Sequence, residues 1–378
     1  MRIAVDLTPT YDHLTGIERY NICIVKEMIK HHPEDVFILV FKGEVYSEFE
    51  ELVKKDNISH IILQPCNKLL FIQFRLMKAM SRIDADYYLF LSFTSPVLFR
   101  KEKTISAIHD LTCWDCPESI PTKMKYYYRW TYKAAIKTNW KIITVSKFSQ
   151  RRICERYELQ VNQIPVVYDG LSEIFQNEYE KDPNAIFSKY QIPSDYILSL
   201  STIEPRKNLQ LLISVYQELM MSDENIPDLV LAGRKGWKLD EILSSLEPDI
   251  QNRIHFTGFV DNEDLPGLYK SARIFVFPSK YEGFGLPIIE AMSQGVIVLS
   301  SDAASLPEIT GNGGVLFRSE DRDDLKQKLL YCLSMPMNEK QRLIEEATKI
   351  AHSFSWDNEA EKLHEIMRIG LNGETQYV

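Results

Sequence analysis

Ile274-Phe275-Val276-Phe277-Pro278-Ser279-Lys280-Tyr281-Glu282-Gly283-Phe284-Gly285-Leu286-Pro287-Ile288-Ile289-Glu290-Ala291-Met292 is the stretch on which the fold turns. Four apolar, mostly β-branched or aromatic residues closed by a proline read as a short buried strand. A helix is expected to begin near Gly285, because glycines allow close backbone approach and Pro287 is tolerated only in a first turn. A strand running through a glycine turn into a helix is half of a βα unit, and the free N–H groups at that helix start suit a diphosphate or a sugar oxygen. Glu282 and Glu290 bracket the turn, placed to grip hydroxyls at two ends of one ligand.

A second stretch, Ser201-Thr202-Ile203-Glu204-Pro205-Arg206-Lys207-Asn208, follows the apolar run Tyr196–Ser201. Arg206 and Lys207 read as opening the next helix. Two cations at a helix N-terminus oppose the macrodipole, a misfit for stability that an anion docked between them would resolve.

Outward from these stretches the same alternation covers the chain of 378 residues, a length suited to two domains. The first half reads as strands at Ile3–Asp6, Val36–Phe41, Ile58–Leu63, Tyr87–Leu91, Thr104–Ile108, Lys141–Val145 and Ile164–Val167, with helices notably at Ile17–Lys30, Thr122–Thr138 and Lys147–Tyr157. A polar segment with Asp169-Gly170, Pro183 and Pro193 interrupts the pattern and reads as a linker. Strands then resume at Tyr196–Ser201, Leu229–Ala232, Arg253–Phe256, Ile274–Phe277, Val296–Leu299 and Gly314–Phe317, and three helical patterns close the chain. The expected class is α/β: two doubly wound, Rossmann-like domains facing each other, over 1–172 and 195–352, joined by a linker over 173–194. Neither half has GxGxxG after its first strand, which disfavours a dinucleotide dehydrogenase.

Charge and cysteine usage narrow the class further. Residues 1–172 hold 24 Lys+Arg against 20 Asp+Glu, and the remainder 20 against 33, so the halves carry +4 and −13. Between Lys123 and Arg156 stand ten basic residues and one acid, Glu155, a candidate surface for anionic lipid or phosphate, or two solvated helix faces. Six scattered cysteines form no disulfide framework and fit a reducing cytoplasm; Cys113 and Cys116 make a CxxC without the second ligand pair of a zinc site. No signal peptide or apolar run of membrane-spanning length is apparent, so the expectation is a cytoplasmic protein, peripheral on a membrane at most. Asp84-Ala85-Asp86 has the DxD form of a metal-holding motif but reads as turn residues before a strand.

Glu282 and Glu290 in their Gly-Phe-Gly-Leu-Pro context, together with Glu204-Pro205-Arg206-Lys207-Asn208, resemble glycosyltransferase family 4, the retaining enzymes of the GT-B fold. Thr15-Gly16-Ile17-Glu18-Arg19-Tyr20, His109-Asp110, Val145 to Ser149, Asp169-Gly170, Gly258-Phe259 and Ser305 to Glu308 extend the resemblance over most of the chain. The Glu-Pro-Arg-Lys-Asn variety is similar to bacterial mannosyltransferases of surface-polysaccharide synthesis, which implies GDP-mannose as donor, with UDP-sugars in close relatives. The resemblance implies that Lys207 and Arg206 bind the donor diphosphate, Glu282 contacts the transferred sugar, Glu290 accepts from the ribose and His109 lies against the reacting sugar. It further implies donor contacts at Gly16, Gly258, Phe259, Phe284, Gly285 and Leu286, Arg19 on the acceptor or phosphate side, and a base pocket about Gly233-Arg234 and Gly258 to Val260. Beside His109, Asp110 either fixes the imidazole tautomer or caps a turn. Many members place an arginine where Ser201-Thr202 stand, so Arg206 is expected to take over its role. The implied enzyme needs no metal or other cofactor. Its partners would be a nucleotide sugar, a saccharide or lipid-linked acceptor and an anionic membrane surface, and not nucleic acid; residues 353–378 would return as a helix to the first domain. The competing readings are a nucleotide-sugar epimerase and a non-catalytic sugar-nucleotide-binding protein.

Overall fold

The computed structural model describes residues 1–9, 16–176, 179, 181–202, 204–222, 225–233 and 247–371. The chain divides into two compact units, Met1–Gly170 with Ser355–Val378, and Leu171–Phe354.

The first unit holds six parallel strands, β1 (Arg2–Asp6), β2 (Val36–Lys42), β3 (Ile58–Leu63), β4 (Tyr87–Phe90), β5 (Thr104–Ala107) and β6 (Lys141–Ile143), in the order β3-β2-β1-β4-β5-β6. β4 and β5 are buried at every position, as expected of parallel strands covered on both faces by crossover helices. Ile164–Val167 does not form a seventh strand. It makes one isolated bridge, Thr144 to Val166, because Pro165 has no N–H to donate and the ladder stops there.

The second unit repeats the plan with β7 (Tyr196–Leu200), β8 (Asp228–Ala232), β9 (Ile254–Gly258), β10 (Ile274–Phe277), β11 (Ile297–Ser301) and β12 (Val315–Phe317), in the order β12-β11-β10-β7-β8-β9. Counted from each unit's first strand, both sheets have the doubly wound order 3-2-1-4-5-6. Each therefore has one switch point, beside its first strand, where successive crossovers leave in opposite directions. Those points are β1/β4 and β7/β10.

The described residues within 173–194 belong to the second unit. Helix Pro183–Tyr190 buries Ile186, and Lys189 Nζ and Tyr190 Oη reach Asp264 Oδ2 at 2.6 and 2.8 Å. Helix Trp356–Leu371 belongs to the first unit. There Tyr168 N donates to Glu359 Oε2 at 2.9 Å, and Tyr87 Oη to the Met367 carbonyl at 2.6 Å. Gly170 lies hard against the start of this helix: a Cβ there would stand 2.4 Å from Trp356 N and 2.7 Å from its ring. Trp356 is 5% exposed, so it has no room to withdraw. Gly170→Ala should therefore cost about 1–3 kcal/mol, the usual penalty for overpacking. Denaturant unfolding checks this, and an unchanged midpoint would show that the helix start yields freely.

Candidate active site

The carboxyl ends of β7 and β10 carry the two stretches singled out in the sequence. After β10, Ser279 and Tyr281-Glu282 lead through the glycines into helix Leu286–Ser293, with Pro287 in its first turn. Gly285 is the N-cap at φ 114°, where a side chain would be strained and a Cβ would lie 2.9 Å from Leu306 Cδ2. The turn is further held by Ser305, whose buried hydroxyl donates to the carbonyls of Glu282 and Phe284 at 3.0 and 2.7 Å.

After β7 the chain departs from expectation. Pro205–Lys207 is a separate turn of 3₁₀ helix, Asn208 takes a left-handed conformation at φ 54°, and the α-helix begins only at Leu209. Arg206 and Lys207 thus precede the helix rather than open it, and the anion that balances them is the protein's own. Lys207 Nζ lies 2.6 Å from Glu282 Oε1 and Arg206 Nη1 2.8 Å from Glu282 Oε2. Arg206 also reaches Glu204 Oε1 through Nη2 at 2.6 Å and the Tyr281 carbonyl through Nη1 at 2.7 Å. Backbone pins the two loops together, Lys280 N donating to the Arg206 carbonyl at 2.8 Å. Ser279, fully buried, donates to Glu282 Oε1 at 2.6 Å. Thr202, where many family 4 members carry arginine, is exposed; Arg206 brings the guanidinium to Glu282 from four residues further on.

Burial pushes the Glu282 carboxyl up, but Arg206 and Lys207 outweigh it and hold it at about 2. Burial pulls Lys207 below the ordinary lysine range, opposed by Glu282 and reinforced by Arg206. Two cations and two carboxylates are thereby fixed in a nearly dry loop pair. An anion entering here would meet two preorganised cations and would share them with Glu282 and Glu204.

The remaining donor-side residues other than Gly16 belong to this second unit. Glu290 is the fifth residue of helix Leu286–Ser293, buried, and accepts from Tyr269 Oη at 3.0 Å. Phe284 is buried and packs edge-on against Phe354 at 5.3 Å between centroids, which makes it a core residue of the turn. Gly258 ends β9 at φ 70° with open space where a Cβ would stand, and Phe259 beside it is 45% exposed. Gly233 N donates to the Gly258 carbonyl at 2.9 Å, while Arg234 lies outside the described residues.

His109, Gly16 and Arg19 belong to the first unit. Gly16 starts helix Gly16–His31, on which Arg19 is half-buried; Thr15 lies outside the described residues. His109 Nε2 meets the Leu91 carbonyl at 2.8 Å, so that nitrogen carries the proton. Burial lowers the imidazole's pKa and favours the neutral ring. Asp110 takes the capping role, accepting from Thr112 N at 2.8 Å, so the Leu91 carbonyl fixes the tautomer. Asp84 and Asp86 serve the turn before β4: Asp86 Oδ2 accepts from Arg2 N at 2.7 Å and the Asp84 carbonyl from Arg2 Nε at 3.0 Å. Cys113 is buried and its thiol is pushed up to about 12, remote from thiolate chemistry. Metal-capable groups among the described residues are His32, Glu34, His364 and Glu27, His31, Asp357, all in the first unit.

Sequence reading missed Ser279, the Ser305 hydroxyl as a brace, and Tyr269. Ser305 stood in a quoted motif, but only the fold shows that its hydroxyl turns back onto the glycine loop.

The cluster generates a test. Glu282 ionises at about 2 when folded, against 4.5 ordinarily, so the folded state binds fewer protons. That stability is present above about pH 4.5 and is lost as pH falls toward 2. Glu282→Gln should flatten the acid-unfolding slope in this window. It should also cost about 3 kcal/mol at neutral pH, the lower end for breaking a buried pair, because Glu204 still holds Arg206. Equal acid slopes in urea titrations of the two proteins would reject the ion pair.

Residues 183–350 match the family Glycosyl transferases group 1. The span includes Arg206, Lys207, Glu282 and Glu290. The O-antigen chain mannosyltransferase B of Escherichia coli is 30% identical over 375 residues, 95% of this chain and 97% of that protein. Among solved structures, the Anabaena protein HepE in complex with UDP-glucose superposes with a TM-score of 0.74 at 17% identity, covering 97% of this chain and 99% of that one. A glycosyltransferase from Rickettsia africae superposes with 0.73 at 20% identity, over 99% of each chain. Two parallel six-stranded sheets of this order, the same overall fold as those structures, and near full-length kinship at 30% identity converge: the chain belongs to the group 1 glycosyl transferases and is a glycosyltransferase of the GT-B fold.

Proposed function

We propose that the protein moves a hexose, mannose from GDP-mannose, onto a saccharide or lipid-linked acceptor in bacterial surface-polysaccharide synthesis, with retention at the anomeric carbon. The observation that carries this reading is the Arg206–Glu282–Lys207 cluster set against the glycine turn of helix Leu286–Ser293. Lys207 and Arg206 meet the donor diphosphate and stabilise charge as the nucleotide leaves, so no metal ion is needed. Glu282 is shared between these cations and the sugar hydroxyls, and Glu290, steadied by Tyr269, takes the ribose. The mannosyl donor rests on the Escherichia coli relative named above.

The acceptor side lies in the first unit, which holds His109. A membrane surface fits the same unit. On helix Thr122–Thr138 the residues Lys123, Tyr126, Trp130, Lys133 and Lys137 recur at spacings of three and four, so they share one face. All five are exposed, Tyr126 at 62% and Trp130 at 54%. Lysines flanking exposed aromatics suit an anionic headgroup layer. Other basic residues of the stretch are occupied: Arg152 pairs with Asp115 and Glu155, and Arg129 and Arg156 stack on the Trp114 ring at 3.9 and 3.6 Å.

Nucleotide release from a panel of GDP- and UDP-sugars, in excess chelator, tests the donor reading. We expect GDP-mannose to be used without added metal, an α-product by NMR, and a turnover loss of roughly a hundredfold in Lys207→Ala, as for other transition-state electrostatic partners. Activity restored only by magnesium or manganese, or a β-product, overturns it. For the membrane, Lys123, Lys133 and Lys137 changed together to glutamine should abolish salt-sensitive co-sedimentation with vesicles containing phosphatidylglycerol. Equal binding to neutral and anionic vesicles would refute docking by this face.

A further inference from the structure

The switch point of the first sheet carries a polar group that the reading above leaves unused. Asp6 ends β1 and is 5% exposed. Its Oδ1 accepts twice from Thr8, from N at 2.9 Å and Oγ1 at 2.7 Å. No described residue donates to its other oxygen.

Asn21, fully buried on helix Gly16–His31, fixes the surroundings. Its Nδ2 donates both to the Asp6 carbonyl at 2.8 Å and to Ser92 Oγ at 2.9 Å, joining the ends of β1 and β4. Ser92 follows Leu91, whose carbonyl holds His109 beyond the end of β5. Asp6 and His109 are thus tied through one short network across three adjacent strand ends. Asn21 Oδ1 has no hydrogen-bond partner. Two acceptor oxygens without donors, at the place where doubly wound sheets bind ligands, call for a ligand that brings hydroxyl hydrogens.

We propose that Asp6 is an acceptor-binding residue, its unpartnered oxygen taking a hydroxyl of a neutral saccharide at the β1/β4 switch point. The inference rests on the assignment of the first unit to the acceptor. A carboxylate at this point repels phosphate, so the group received here is a sugar hydroxyl and not a phosphate of the donor or of a lipid carrier. Asn21 is a positioning residue that holds the Asp6 loop and the His109 shelf in one register.

The charge on Asp6 makes the idea separable from a structural role. Burial raises its pKa to about 6, partly offset by the Thr8 hydroxyl and amide and by Lys42 of β2. Among the described residues Lys42 is the one charged neighbour acting on it; Asn21 on the helix and Ser92 just after β4 are neutral. Ionised Asp6 is the better hydroxyl acceptor, so efficiency toward acceptor should fall as pH drops through about 6.

The test uses the full chain, the nucleotide sugar selected by the hydrolysis panel, and octyl α-mannoside as acceptor probe. Asp6→Asn should raise the acceptor KM at least tenfold, leave donor KM and donor hydrolysis within twofold, and remove the acid limb. Thr8→Ala, which keeps the carboxylate but deletes a hydrogen bond that lowers its pKa, should move the limb to higher pH. An acceptor KM and pH limb unchanged in Asp6→Asn overturn the proposal, as does failure of the wild type to use the mannoside while it still hydrolyses donor. Absence of donor hydrolysis in the wild type defeats the donor reading instead.

Discussion

The second unit depends on a carboxylate held between two cations in a nearly dry loop pair. Glu282 stands 75 residues from Lys207 in sequence, yet their side chains meet at 2.6 Å, and the Arg206 and Tyr281 backbones are drawn into the same network. Burial alone would neutralise the carboxyl and discharge the lysine. Each is kept ionised by the other, so neither loop can be displaced without leaving a charge uncompensated. The glycine turn follows from this constraint: the chain must pass from Glu282 into helix Leu286–Ser293 within three residues, and only a residue without Cβ fits beside Leu306 at φ 114°.

Buried parallel strands were legible because they are continuous apolar runs; β3, β10 and the helices Thr122–Thr138 and Lys147–Tyr157 stand at the bounds read from sequence. Ile164–Val167 had the same composition, but a ladder needs donors, and Pro165 withholds one beside an edge strand. The Arg206-Lys207 pair was legible as an electrostatic misfit, whereas its pairing with Glu282 inside the chain was not. Local rules see a helix dipole a few residues away and cannot see a carboxylate that only the fold brings near. The same blindness inflated the basic stretch. Counting charges between Lys123 and Arg156 omits Asp115, which lies just outside the window and takes Arg152.

Side chains that brace rather than bind were the least legible of all. Ser279, Ser305 and Tyr269 are ordinary in composition and carry no local signature. Each hydroxyl donates to a buried acceptor of the site, a hydrogen bond contributing about 0.5–1.5 kcal/mol. Their assignment becomes obvious only when the acceptors, the Glu282 and Glu290 carboxylates and the Glu282 and Phe284 carbonyls, are placed.

One strand order used twice has ended in opposite chemistry. At the β7/β10 switch point cations and a helix start face outward from the strands; at β1/β4 a carboxylate and an amide oxygen do. Net charge runs the other way, the half with the cationic site being −13 and the other +4. The contradiction dissolves with distance. Charges spread over a surface are screened within about 8 Å at physiological salt, while buried ones act at contact through low dielectric. What an approaching ligand meets in each unit is therefore set by three or four desolvated groups and not by the total. Repeating one strand order puts a switch point in each unit, and the buried groups beside the two differ: two cations and carboxylates at β7/β10, a carboxylate and an amide at β1/β4.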